Sequence, residues 1–193
     1  MTPSSPTLAD APRKVLLVGM MGAGKSVVGR LVASRLGWPH VDSDDQVQKT
    51  TGRTVAQIFA ERGEAAFRAE EAQMLAEAMT QDGPLVVSVA GGAILTADNR
   101  RLLREGGLVV WLRAELATLA RRVAAGNHRP LIAGDPLRRL TLLYAERRPL
   151  YQDLADAVID VDHLNPSEVA DKVVAAFRAA RDEALLTGGD GGG

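Results

Sequence analysis

The 193-residue chain contains no cysteine. That removes disulfides, thiolate nucleophiles and zinc–sulfur sites together, and it fits a cytoplasmic setting. Histidine is scarce, and His40, His128 and His163 lie too far apart for metal-ligand spacing. Neither sign of charge is in excess: 23 Lys and Arg stand against 24 Asp and Glu, a formal net charge of −1. Sequence-independent binding to nucleic acid needs a basic surplus, so no nucleic-acid partner is expected. No apolar run approaches the roughly 20 residues of a membrane span. Residues 1–10 have neither the basic nor the apolar region of a secretory signal. No membrane partner is expected either.

What is present is an ordinary globular composition, 46% hydrophobic and 24% charged. At roughly 100–200 residues per domain, the length predicts one domain. We place it at residues 13–186, between a disordered tail at 1–12 and a flexible glycine-rich tail at 187–193. Short apolar runs at 15–18, 39–42, 85–89, 108–112 and 157–161 read as strands, several of them buried on both faces. Helical periodicity fills 26–36, 54–79 (more than one helix), 96–105, 115–125, 136–154 and 167–185. Thr54 with Gln57 forms a capping-box pattern, and Ser167 is a candidate N-cap. The alternation predicts an α/β protein, a three-layer α/β/α arrangement around a five-stranded parallel sheet. Residues 126–136 (GNHRPLIAGDP) interrupt it as either a surface loop or a mobile lid.

Residues 19–26 read GMMGAGKS, matching G-x-x-x-x-G-K-[ST] with a strand before and a helix after. The glycines let the backbone wrap an anion, and the helix adds its positive N-terminal end. Lys25 is placed to reach β- and γ-phosphates, and the Ser26 hydroxyl to ligate Mg²⁺. This motif fixes a nucleotide, not a reaction. The third strand ends in Ser88-Val89-Ala90-Gly91-Gly92, without the acid usual in motor ATPases.

The acids stand instead in VDSDD. Asp42 and Asp44, two apart, would point the same way from an extended chain. On a strand beside the P-loop strand, Asp42 would reach the metal and Asp44 a substrate hydroxyl. The plainer alternative is a helix cap, for which Asp45 is the candidate. Arg68 and Glu71 in GEAAFRAEE are spaced i, i+3, which by itself suggests a solvated surface pair. The glycines after strand three form either a plain turn or a backbone nest where α/β ligands bind. Arg147 and Arg148 in AERRPLY read as a wet helix face. Phe59 and Phe67 suit either a pocket wall or the core.

In this order, GMMGAGKSVVGR, VDSD, TGRTVAQIF, GEAAFRAEE, the glycine turn, RPLI and ERRPLY resemble the shikimate kinase family, within the nucleoside-monophosphate-kinase-like P-loop proteins. The resemblance runs from about residue 14 to about residue 176. It implies P-loop topology with a mobile lid at about 126–136. It also implies transfer of the ATP γ-phosphoryl group to the 3-hydroxyl of shikimate, by a cytoplasmic monomer using ATP and Mg²⁺. Carried over by position, Gly22, Ala23, Gly24, Lys25, Ser26 and Val27 resemble the nucleotide-phosphate loop, with Ser26 and Asp42 at the metal. Asp44 resembles the acid that holds the reacting hydroxyl. Arg68 and Arg147 resemble the pair that grips the substrate carboxylate, and Gly91 and Gly92 the backbone contacts to it. Arg129 resembles the lid arginine at the transferring phosphate, with His128 an incidental neighbour. Arg122 and Pro166 resemble the adenine contacts. Ala90 departs from the family, which usually has a glycine there. A gluconate kinase would use the same acid and arginines, but GEAAFRAEE and ERRPLY favour shikimate. A non-catalytic nucleotide module would need neither.

Overall fold

The computed structural model describes residues 12–124 and 136–187. Five strands, β1 (Lys14–Val18), β2 (His40–Asp42), β3 (Leu85–Ser88), β4 (Leu108–Arg113) and β5 (Ala157–Asp160), form one sheet in the order β2-β3-β1-β4-β5. Every pairing is parallel. The central strands β1, β3 and β4 are the continuous aliphatic runs, and they are buried almost throughout. That is what a sheet covered on both faces requires. Val15, Leu16, Leu17, Val86, Val87, Val109 and Val110 have no exposed surface.

The connections are α1 (Lys25–Leu36), α2 (Ser43–Thr51), α3 (Val55–Thr80), α4 (Ala97–Gly106), α5 (Leu116–Ala124), α6 (Pro136–Leu154) and α7 (Pro166–Thr187), with a 3₁₀ turn at Ala93–Leu95. α1 packs against α7, while α3, α4 and α6 form a contiguous group. Trp38 meets Phe177 edge-on at 4.9 Å, pinning the end of α1 to α7. Trp111 stacks on Tyr151 at 5.6 Å, tying β4 to α6. Among the described residues no helix is long and apolar enough to cross a membrane.

Three local expectations need correction or refinement. β2 is an edge strand and pairs only with β3, so it does not neighbour the P-loop strand β1. α2 is absent from the helical periodicity and was foreseen only through the cap alternative, because its sequence SDDQVQKTT buries only Ser43 and Val47 and so carries no apolar stripe. The helical stretch after Thr54 is more than one helix, as expected: α3 is broken at Gly63, whose φ of 78° and ψ of 174° are not helical. Its capping box with Gln57 is present. The N-cap of α7 is Asn165 rather than Ser167: its Oδ1 accepts the Ser167 and Glu168 N–H groups at 2.9 and 3.1 Å, and Glu168 accepts the Asn165 N–H at 2.7 Å. Pro166 then occupies the first helical position, where a missing N–H costs nothing.

α1 lies close on the sheet at Gly29. A Cβ there would come within 2.5 Å of both His40 Nε2 and Ser88 Oγ, which are themselves hydrogen-bonded at 2.9 Å. Helix propensity alone would make Gly29→Ala stabilising by about 1 kcal/mol. The contact predicts the opposite, a net loss of about 1–3 kcal/mol from overpacking. Urea unfolding decides between them: a lower midpoint is expected, and a higher one would show that His40 and Ser88 give way.

Candidate active site

The loop between β1 and α1 is shaped by its backbone. Gly22 and Gly24 have φ of 85° and 96°, a region that L side chains rarely adopt. Gly24 is the N-cap of α1, with no side-chain cap and no acid in the first turn. The first N–H groups of such a helix lack intrahelical partners, and its positive end favours an anion. Lys25 Nζ donates to Gly19 O at 2.8 Å and Met20 O at 3.2 Å, folding the ammonium back over the loop. Ala23 is buried, while Ser26 and Val27 are exposed on the first turn. Arg122, near the end of α5, donates to Gly22 O at 3.4 Å and to Val161 O at 3.3 Å. It thereby links the P-loop to the turn after β5, which ends at the exposed Pro166.

The acids adopt a different arrangement from an extended pair. Asp42 is extended, with φ −105° and ψ 121°, and caps α2 by accepting the Asp44 N–H at 3.1 Å. Asp44 and Asp45 therefore sit in the first turn of α2, and Asp45 is not the cap. The second Asp42 oxygen, Oδ2, is buried without a partner, an arrangement that calls for a water or a cation. Across the β2–β3 pair Asp42 is in register with Ser88, whose Oγ donates to Lys25 O at 3.0 Å. The intervening strand thus brings the acid and the P-loop helix to one end of the sheet.

The remaining residues converge on the turn after β3. Arg147, read from sequence as a wet helix face, is only 2% exposed. It donates to Gly91 O at 3.1 Å, where the Tyr151 hydroxyl also donates at 3.3 Å. Arg68 lies so close to Gly92 that a Cβ there would overlap its guanidinium. Neither glycine has a left-handed φ; at Gly92 the constraint is close approach, since a Cβ would require the Arg68 guanidinium to move. Ala90 is accommodated: it is buried, and its carbonyl accepts the Ala93 N–H at 3.1 Å. Arg68 donates to Glu71 at 2.6 Å and to Glu64 at 2.9 Å. Glu71 is 2% exposed, so this is no surface pair. Burial pushes its carboxyl up to about 7, with Asp44 adding to the rise and the arginines Arg68 and Arg147 opposing it. Asp44, Arg68, Glu71 and Arg147 therefore share one electrostatic neighbourhood. Phe67 packs with Val47, Ile58 and Met74 in a small second core, and the Phe59 side chain lies outside the described residues. So do His128, Arg129 and residues 126–135 of the expected lid.

A model of the shikimate kinase family matches residues 21–178. The chain belongs to the shikimate kinase family. It is 47% identical to the shikimate kinase of Symbiobacterium thermophilum over 163 residues, 83% of this chain and 93% of that protein. It is 40% identical to that of Ruegeria pomeroyi, covering 88% of this chain and 87% of the relative. The shikimate kinase of Acinetobacter baumannii, solved in complex with shikimate, superposes with a TM-score of 0.84 at 34% identity, covering 88% of this chain and 95% of that one. A gluconokinase from Sinorhizobium meliloti, at 20% identity and a TM-score of 0.61, shares the fold alone.

Beside these family motifs, sequence reasoning missed Tyr151, Ser88 and the buried state of Glu71. The i, i+3 spacing of Arg68 and Glu71 was a signal for the last, but spacing carries no information on depth. A carboxyl raised to about 7 binds a proton when folded that it has released, at the same pH, when unfolded. Its contribution to stability is fully present below about 4.5 and is lost as the pH rises through about 7. The stability of the wild type relative to Glu71→Gln should therefore fall between pH 4.5 and 7 in urea unfolding. No change over that window, with stability lost instead as the pH falls below about 4.5, would mean that Arg68 holds Glu71 below its ordinary range.

Proposed function

We propose that the chain is an ATP-dependent shikimate kinase, which transfers the γ-phosphoryl group of ATP to the 3-hydroxyl of shikimate, giving shikimate 3-phosphate and ADP. The reaction belongs to chorismate and aromatic amino-acid biosynthesis. The observation that carries the reading is the convergence of Arg68 and Arg147 on the Gly91-Gly92 turn, beside Glu71 and Asp44. Planar guanidinium forks suit a ring carboxylate better than ammonium groups do.

In this reading Arg68 and Arg147 hold the shikimate carboxylate, and Gly91 and Gly92 offer backbone groups to the ring. Asp44 accepts the hydrogen bond of the 3-hydroxyl and takes its proton as the oxygen attacks the γ-phosphorus and ADP leaves. Gly22, Ala23, Gly24, Lys25, Ser26 and Val27 cradle the phosphates. Lys25 exchanges the loop carbonyls for β- and γ-phosphate oxygens. Arg122 and Pro166 flank the adenine. Arg129 meets the transferring phosphate from the lid. Charge neutralisation and alignment are the main needs of a loose phosphoryl-transfer transition state.

The residues present fit Mg²⁺. Among the described residues no cluster of three His, Asp or Glu could hold a metal. Mg²⁺, however, needs only one or two protein oxygens, with phosphates and water for the rest. The partnerless Asp42 Oδ2 and the exposed Ser26 hydroxyl supply them. When bound, the ion neutralises charge on the β- and γ-phosphates. We further propose a single kinase domain over residues 13–186 with tails at 1–12 and 187–193, acting as a cytoplasmic monomer without nucleic-acid or membrane partners.

The test is ADP release from ATP and Mg²⁺ with shikimate, gluconate or nucleoside monophosphates as acceptor. Stimulation by shikimate alone is expected; stimulation by gluconate instead would overturn the substrate. Two variants test the roles. Asp44→Asn should lower kcat by about 100-fold or more, the low end of what a positioned base supplies, while ADP affinity stays unchanged. Arg68→Ala should weaken shikimate binding by about 30-fold, equivalent to about 2 kcal/mol. Near wild-type turnover in the first, or unchanged shikimate affinity in the second, would remove that residue from its role.

A further inference from the structure

The corner that joins β5 to α7 is held from several sides. On the strand side, Val161 N–H donates to Arg113 O at 2.9 Å, and Arg122 donates to Val161 O at 3.3 Å. Asp162 accepts the Glu115 N–H at 3.1 Å. On the helix side, Asn165 and Glu168 close their reciprocal cap. One more group reaches this corner from a distant element. Arg35, in the last turn of α1, donates through Nη2 to Ser167 Oγ at 2.7 Å and to Ser167 O at 3.1 Å. Its Nε pairs with Asp171 at 2.9 Å. A guanidinium gripping a hydroxyl, a carbonyl and a carboxylate within one turn and a half of helix sets both the position and the rotation of that helix end.

We propose that Arg35 is a positioning residue for the nucleotide base, holding residues 165–167 so that Pro166 stands at a fixed distance from Arg122. The proposal rests on the reading above that Arg122 and Pro166 flank the base. The geometry gives Arg35 a particular place in that reading. It belongs to α1, whose first turn follows the phosphate loop, and it grips the opposite end of the nucleotide's cradle through Ser167. Arg122 makes the complementary link, from Gly22 in the phosphate loop to Val161. The two arginines thus fix the span between the phosphate end and the base end before a nucleotide arrives. A preorganised corner spares the ligand the ordering cost of the loop.

The base end can be separated from the phosphate end by comparing two probes, ADP and inorganic tripolyphosphate, each titrated calorimetrically into the full-length protein without shikimate. Arg35→Ala should weaken ADP by about tenfold, one step of 1.4 kcal/mol, and leave tripolyphosphate unchanged. In turnover, KM for ATP should rise while kcat and KM for shikimate hold. Ser167→Ala removes one acceptor without touching the α1–α7 salt bridge, so it should shift ADP in the same direction by less, and it keeps the test alive should Arg35→Ala fold poorly. Arg35→Lys, which keeps a charge for Asp171 but not the fork, should restore only part of the affinity. Equal weakening of both probes would place the effect in the phosphate loop and overturn the proposal. A lower melting temperature with unchanged ADP affinity would reduce Arg35 to helix packing and overturn it too. Because ADP binding is read without an acceptor, failure of the shikimate assignment would leave this result standing.

Discussion

A guanidinium buried to 2% exposure is expensive unless charge and hydrogen bonds compensate it. Arg147 is such a group, and the rest of the site is organised around its needs. It has a carbonyl, Gly91 O, and the nearby Glu71, while its Nε is buried without a partner. Arg68 brings a second positive charge to the same turn, and the buried Glu71 is ion-paired with Arg68 and electrostatically coupled to Arg147. Burial raises the Glu71 carboxyl to about 7, against the pull of Arg68 and Arg147. Two arginines thus share one carboxylate. In the proposed reading, a substrate carboxylate supplies the second negative charge.

The same constraint explains the backbone around it. A Cβ at Gly92 would displace the Arg68 guanidinium, which occupies that space. Tyr151 shares the Gly91 carbonyl and stacks on Trp111, which anchors α6, and Arg147 with it, to the central strand β4. At the neighbouring strand ends the phosphate loop solves a different problem, wrapping an anion with N–H groups. Ser88, on the strand between β1 and β2, joins the two halves by bonding both Lys25 O and His40.

Much of this was legible in the sequence, for physical reasons. The central strands are continuous aliphatic runs, and such runs have few folds open to them. GMMGAGKS encodes backbone geometry directly in its glycines, so motif and structure coincide. The polar parts were less legible. α2 has almost no apolar periodicity, because it buries only two residues. The VDSDD segment looked like a strand with two aligned acids, yet a cap interaction ends the strand at Asp42 and turns Asp44 into a helix. Depth was the other blind spot. Nothing in AERRPLY distinguishes Arg147, buried, from Arg148, exposed. Nor does i, i+3 spacing tell a surface ion pair from Arg68 and Glu71. The family resemblance supplied what patterning could not, because it assigns roles by position rather than by solvent exposure. Residues 126–135, with Arg129, remain outside the described residues, and their part rests on that resemblance.

In the proposed reading, the buried Arg147, the half-buried Arg68 and a glycine turn form a receptor for one carboxylate. The most direct measurement is the calorimetric affinity of the enzyme for shikimate and for shikimate carboxamide, which keeps the ring and hydroxyls but removes the charge. A site whose buried polar groups are left unpaired by the analogue should discriminate strongly. The account predicts that the carboxamide binds at least about 100-fold more weakly. Equal affinity for the two would contradict it, and would place substrate recognition in the hydroxyl contacts instead.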